Sequence, residues 1–248
     1  MNVLKIEELY KVHSGNVLVS ALNGISFDLQ SEERVGIMGP SGSGKTTLLN
    51  IVSTIDEPTS GQVIITGNDT GRIPFHERSL IRRKLGFVFQ NFNLLDNLTV
   101  RENITLPLVM NSFKANEITV RLEKVADQLN MKSILDKYVF ELSGGQAQRV
   151  AIARAIIHTP FLILADEPTG NLDSKTSRDV MELLCNVQET EKSAMLLVTH
   201  DPVIASYCHR VIFLKDGKIV NEIHQGENRQ TFFQRIIDLL SLLEGDLR

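Results

Sequence analysis

The sequence predicts an α/β fold built on a largely parallel sheet, and three observations predict it. First, Gly39-Pro40-Ser41-Gly42-Ser43-Gly44-Lys45-Thr46 fits the pattern G-x-x-x-x-G-K-[ST] and stands between the apolar run 34–38 and the helix-forming run 47–52. A strand therefore feeds a glycine-rich loop that opens a helix. Second, residues 161–165 (FLILA) and 195–198 (MLLV) are short unbroken apolar runs of the kind a parallel sheet buries on both faces. Residues 175–191 between them read as a helix, which completes a βαβ unit. Third, the pattern turns helical from Asn91 to His158, with Val120, Val125 and Leu129 at helical spacing and residues 115–129 rich in good helix formers. This stretch reads as a helical insertion.

The remaining elements follow in order. Residues 4–9, 25–29, 62–66 and 86–89 read as short strands separated by polar or glycine-containing turns, so the region around the loop is β-rich. Residues 211–215 and 218–220 flank Asp216-Gly217, a pair suited to a tight hairpin turn with positive φ. After Gly226 the tail places Phe232, Phe233, Ile236, Ile237, Leu240 and Leu243 along one helical stripe. That stripe can pack on the body, on a second copy or on a partner, with core packing the plain expectation.

Composition narrows the function classes. The chain of 248 residues has an apolar fraction of 42% and a charged fraction of 23%, ordinary for a globular protein. A formal charge of −4 gives no electrostatic case for nucleic acid. The longest apolar runs fall far short of the roughly 20 residues that cross a bilayer. Residues 1–10 alternate charged and apolar side chains in place of a basic and then apolar leader, so a cytosolic site is expected. Cys185 and Cys208 lie in segments read as helical, lack metal-type spacing, and are expected to be buried thiols.

The loop 39–46 carries the first half of the chemistry. Glycines at 39, 42 and 44 let the backbone present N–H groups, together with those of Ser41, Ser43 and Thr47, to phosphate oxygens, and the helix N-terminus adds a dipole that favours anions. Lys45 supplies a mobile cation for the β- and γ-phosphates, and the Thr46 hydroxyl suits a Mg²⁺ shell. The second half lies downstream. The strand 161–165 ends in Asp166 and Glu167, where an open sheet presents ligand-binding groups. Asp166 is the natural Mg²⁺ partner, and Glu167, pointing elsewhere, is placed to address an attacking water. Ser143-Gly144-Gly145-Gln146 reads as a serine cap and two glycines opening another helix, a second anion site.

Leu142-Ser143-Gly144-Gly145-Gln146, between a phosphate loop and a strand ending in Asp-Glu, resembles the signature of ATP-binding cassette (ABC) ATPases, and the resemblance runs from about Leu4 to Val220. It implies a P-loop NTPase core of RecA-like type, with an antiparallel β subdomain and an inserted helical subdomain at about 91–160. Residues 1–225 would form the ATPase domain and 226–248 a helical tail. The resemblance also implies that Gln90 senses Mg²⁺ and the attacking water beside a transporter docking groove. It implies that Asn171-Leu172-Asp173 joins two active sites across a dimer, and that His200 contacts the γ-phosphate. Each ATP would lie between the phosphate loop of one copy and Ser143, Gly144, Gly145 and Gln146 of another, in a homodimer. The family usually stacks adenine on a tyrosine after the first strand. Here alignment puts His13 there, with Tyr10 three residues earlier and assigned a structural role.

Residues 165–173 (ADEPTGNLD) look like the branch serving macrolide exporters, lipoprotein release systems and peptide-antibiotic resistance transporters, and residues 200–219 and 229–236 are similar to bacitracin-resistance ATPases. The resemblance implies an ATPase driving a separate membrane permease at the inner face of the cell membrane, one that handles antimicrobial peptides or lipid-linked cell-wall intermediates in antibiotic resistance, with the transported molecule contacting the permease and not this chain. A cell-division or lipoprotein-release module is the alternative.

Overall fold

The computed structural model describes residues 2–14 and 18–245. In chain order its elements are β1 (Asn2–His13), β2 (Val19–Gln30), β3 (Arg34–Met38), α1 (Lys45–Val52), β4 (Ser60–Ile65), β5 (Asn68–Asp69), α2 (Arg78–Arg82) and β6 (Leu85–Phe89). There follow α3 (Val100–Met110), α4 (Ala115–Gln128), α5 (Gly144–Ile156), β7 (Leu162–Asp166), α6 (Ser174–Glu191), β8 (Ala194–Val198), α7 (Pro202–Ala205), β9 (Arg210–Lys215), β10 (Lys218–His224) and α8 (Arg229–Gly245). They form two compact units, Met1–Ser79 with Ala194–Arg248, and Leu80–Ser193. The expected α/β class and phosphate-loop core are present, and the helix-rich stretch 91–160 lies within the second unit together with β6, β7 and α6.

In the first unit an antiparallel sheet runs in the order β2-β1-β4-β5. β1 is longer than the sequence pattern suggests because a bulge divides it. Leu4 and Ile6 are buried, and the inward face then resumes at Leu9 and not at Glu8. Glu8 takes φ 46 and donates its N–H to Ser26 Oγ at 2.9 Å, which absorbs the extra residue and lets both halves bury their apolar side chains. A second sheet of this unit places β10, β9, β3 and β8 side by side. β3 is parallel to both β8 and β9. Val35, Ile37, Leu196 and Ile212 are fully buried, as two covered faces require. The β9–β10 hairpin turns at Asp216 (φ 50) and Gly217 (φ 73), the left-handed pair expected. Gly217 donates its N–H to Ser43 O at 3.2 Å, so this turn props the phosphate loop.

The tail helix α8 docks on its own unit. Phe232 and Ile236 are fully buried, each contributing about 1.5–3 kcal/mol. The Arg229 guanidinium lies 4.0 Å from the Tyr207 ring centroid, and Lys215 Nζ donates to Leu243 O at 2.9 Å. Core packing is therefore what Phe232 and Ile236 do, while Phe233, Ile237, Leu240 and Leu243 are half-buried.

The second unit pairs β6 and β7 in parallel and packs helices around them. α5 is buried nearly all round, from Ala147 to Ile156, and its small residues let β6 come close. A Cβ at Gly86 would lie 2.6 Å from Ala155 O. Three sequence expectations are corrected. The stretch from Asn91 to Leu98 is not helical, and α3 starts only after Thr99, whose hydroxyl accepts from Glu102 N in a capping box. Val120 is 66% exposed, whereas Leu122, Val125 and Ala126 form the inner face of α4. Cys208 is buried, as is Cys185, but it sits in the bend after α7 and not in a helix.

His158, at the end of α5, donates from Nε2 to Leu85 O at 3.1 Å, which leaves Nδ1 as a solvent-excluded acceptor with no partner among the described residues. Burial, chiefly, pushes its pKa below the ordinary 6.5. The unfolded chain then binds the proton more readily, so this contribution to stability is complete above about pH 6.5 and is lost as pH falls toward the folded value. Thermal melts should show a falling midpoint from pH 7.5 to 5.5, with a shallower fall in His158→Gln. Equal slopes for the two proteins would refute this assignment.

Candidate active site

The phosphate loop leaves β3 at Gly39, and its glycines are not equivalent. Gly39, Gly42 and Gly44 have φ of 154, 79 and 102. A Cβ at Gly39 would lie 2.0 Å from Leu214 O, and one at Gly44 would lie 2.4 Å from Ala21 O, distances no side chain survives. At Gly42 it would meet nothing within 4 Å. Gly44 caps α1 with left-handed backbone and no side-chain bond, so the first amides of the helix are left for an anion. Lys45 Nζ donates to Gly39 O and Pro40 O, both at 2.8 Å, folding the cation over its own loop. Ser43 Oγ is solvent-excluded with no hydrogen-bond partner among the described residues. Ser41 and Thr46 are exposed and Thr47 is half-buried. The cradle therefore offers backbone donors, a cation and an exposed hydroxyl, a set that fits a nucleoside triphosphate with its divalent ion.

His200 reaches the same edge of the same sheet. Ile37 pairs with Val198, and Thr199 donates its N–H to Ile37 O at 3.2 Å, so the chain leaves β8 alongside the start of the loop. Buried Thr199 accepts from Asp201 N at 3.1 Å, and Asp201 caps α7, which leaves His200 exposed on a fixed turn. His13 ends β1, exposed. Nearby, burial works to raise the Asp56 carboxyl. The Lys11 hydrogen bond, the Glu57 amide and the charges of Lys11 and His13 outweigh it and hold that carboxyl below the usual range. Tyr10 instead lies over Gly24, where an added Cβ would stand 2.9 Å from the phenol oxygen.

In the second unit the pairing Phe89↔Asp166 sets Gln90 and Glu167 one step beyond it, at one strand edge. Glu167 adopts φ 46 and its carbonyl accepts from Gly170 N at 3.0 Å, turning the chain sharply back. A Cβ at Gly170 would lie 2.7 Å from Gln90 Nε2, and Asn171 Nδ2 donates to Gln90 O at 3.1 Å and Asn91 Oδ1 at 2.8 Å. The loop 170–171 thus holds Gln90 in place. Asp166 and Glu167 are half-buried, while Gln90 is exposed.

Ser143 caps α5 reciprocally. Its Oγ accepts from Gln146 N at 3.3 Å and its N–H donates to Gln146 Oε1 at 3.0 Å. Gly144 is exposed, and a Cβ at Gly145 would strike Thr176 Cγ2 at 2.6 Å. Asp173 caps α6, accepting from the N–H groups of Lys175 and Thr176 and from the Thr176 hydroxyl at 2.5 Å. The hydroxyl bond, first, holds its carboxyl below the usual range. Ser143, Gly144, Gly145, Gln146 and Asp173 are therefore gathered where α5 and α6 begin. Sequence reasoning missed Arg154 on α5, which holds the turn after Gln90. Its partners lie 61 and 62 residues away, and no local pattern marks them.

Among the described residues no three His, Cys, Asp or Glu side chains cluster to hold a metal. No described helix is long and apolar enough to cross a membrane.

Comparison with known proteins agrees. The family profile described as "ABC transporter" matches residues 22–170. The chain is 53% identical over 246 residues to the ABC transporter ATP-binding protein YxdL of Bacillus subtilis, covering 99% of this chain and 96% of that one. It is 45% identical over 248 residues to the bacitracin export ATP-binding protein BceA of Halalkalibacterium halodurans, covering 99% and 98%. Among solved structures, the dimeric post-hydrolysis state of the ATP-binding cassette MJ0796 of Methanocaldococcus jannaschii, bound to ADP and Pi, superposes with TM-score 0.81 at 40% identity, covering 90% of this chain and 99% of that one. A glycine cradle with a lysine, a strand ending in two carboxylates, a serine-capped second helix and these likenesses lead to one conclusion: the chain belongs to the ABC transporter ATP-binding family and is an ATPase.

Proposed function

We propose that two copies of this chain close around two Mg·ATP and drive a separate membrane permease that confers resistance to antimicrobial peptides. The observation that carries the transport reading is the match to the bacitracin export protein along nearly the whole length of both chains. The hydrolytic machinery supports it from below. Loop amides from Gly39 to Thr47 and the Lys45 ammonium would stabilise charge on the β- and γ-phosphates, and His200 would meet the γ-phosphate. By the family resemblance, Thr46, Asp166 and Gln90 would hold Mg²⁺ through oxygen, and the ion when bound would neutralise charge developing on the phosphates. Glu167 would take the proton of the attacking water while Gln90 orients that water. The twin's Ser143, Gly144, Gly145 and Gln146 would close over the triphosphate, with Asp173 linking the two sites and His13 against adenine. At the membrane's inner face, hydrolysis would move the permease, which alone touches the transported molecule.

The test is co-expression with a candidate permease from the same organism. The two proteins should co-purify, and bacitracin or a related peptide should raise ATPase activity of the complex in vesicles. A stable complex indifferent to every peptide would leave the ATPase and remove the resistance role.

A further inference from the structure

Immediately after Gln90 the backbone does something side chains seldom allow: Phe92 (φ 59) and Asn93 (φ 49) are both left-handed, consecutively, and neither is glycine. Such a conformation persists only where the surroundings impose it. Here the Arg154 guanidinium imposes it from the last turn of α5, donating from Nη2 to Phe92 O at 2.8 Å and from Nη1 to Asn93 O at 2.6 Å. The fork of the guanidinium matches two successive carbonyls that a left-handed turn points the same way. Burial depresses the Arg154 pKa, but the group stays charged at any pH where the protein is folded. At the other end of α5 the Phe92 ring reaches toward the serine-capped start, its Cζ 4.0 Å from where a Gly144 Cβ would stand. The turn is therefore fastened to α5 through the two Arg154 hydrogen bonds, and through Gln90 to the loop 170–171.

We propose that Arg154 is a positioning residue. It holds the 92–93 turn so that Gln90 is presented to Mg²⁺ and water, and it makes the placement of Gln90 follow the placement of α5. The inference rests on the role assigned to Gln90 above. It identifies α5 as the element whose position sets the Mg²⁺ response of hydrolysis, through a residue that touches neither nucleotide nor metal.

The experiment measures ATPase rate against free Mg²⁺ at saturating ATP, with metal-free ATP affinity and thermal midpoint alongside. The proteins are the wild type, Arg154→Ala, Arg154→Lys, Gln90→Ala and Arg154→Ala combined with Asn93→Gly. Arg154→Ala should raise the Mg²⁺ concentration for half-maximal rate about tenfold, as loss of an orienting partner typically does, with ATP affinity unchanged. Arg154→Lys, which keeps the charge without the fork, should fall between. Asn93→Gly, which adopts the left-handed turn without help, should restore part of the loss. If Arg154→Ala lowers only the thermal midpoint, or if Asn93→Gly restores nothing, Arg154 is structural and the proposal fails while the role of Gln90 stands. If Arg154→Ala does not fold, a wild-type Mg²⁺ response in Arg154→Lys overturns it equally. If Gln90→Ala keeps a wild-type Mg²⁺ response, the role of Gln90 falls first and the inference with it.

Discussion

Glu167→Gln should bind ATP as the wild type does and lose nearly all turnover. Removing a general base costs about 10²–10⁴-fold in rate, and glutamine keeps the size and one acceptor oxygen while surrendering basicity. The fold should not suffer. The left-handed turn at Glu167 is closed by its carbonyl accepting from Gly170 N, a main-chain bond that glutamine keeps. The buried strand behind it, Leu162 to Ala165, is untouched. Phosphate release under single-turnover and steady-state conditions, with calorimetric ATP affinity, decides the matter. In the proposed dimer the variant should also accumulate as a nucleotide-bound pair on size exclusion, because closure no longer ends in cleavage. Hydrolysis at the wild-type rate would remove Glu167 from the chemistry.

Lys45→Ala should fail one step earlier, at binding. A hydrogen bond to a charged group is worth about 1.5–3 kcal/mol, so the dissociation constant for ATP should rise roughly 10- to 150-fold. The nucleotide-free fold should keep its melting point. Gly39 O and Pro40 O, which receive the ammonium, belong to a loop with exposed neighbours and can turn to water once it is gone. The sensitive readout is ligand-induced stabilisation, since the rise in melting temperature on adding ATP follows the ratio of its concentration to the dissociation constant. An unchanged rise would show that the triphosphate does not meet Lys45.

These outcomes hinge on residues that local sequence reveals, and the structure shows why it reveals them. Gly39 and Gly44 occupy the invariant places of the loop pattern because a Cβ there would enter a neighbouring carbonyl, whereas Gly42, at a free place in the pattern, faces open space. The hairpin at Asp216-Gly217 and the caps at Ser143 and Asp173 are likewise decided within four residues. Elements governed by longer reach were harder. The bulge at Glu8 breaks the two-residue alternation that marks a strand, so β1 reads short. The pattern over 91–99 reads as helical, although Thr99-x-x-Glu102 announces where the helix starts. Val120 lies in the helix that its spacing predicts but faces outward, away from the inner face that Leu122, Val125 and Ala126 define. Arg154 was invisible, since an arginine on a helix looks the same in sequence whether it meets solvent or two distant carbonyls.

The seating of α8 also limits what its last residues can offer another protein. Arg229 covers Tyr207 and the apolar side chains Phe232 and Ile236 are buried, so a binding partner would meet chiefly the outward polar residues Gln234, Arg235, Asp238 and Ser241, with Leu242 the exposed apolar side chain among them. Recognition there would be by hydrogen bonds and charge, readily tuned by salt and by single substitutions, and it would not require the helix to peel away.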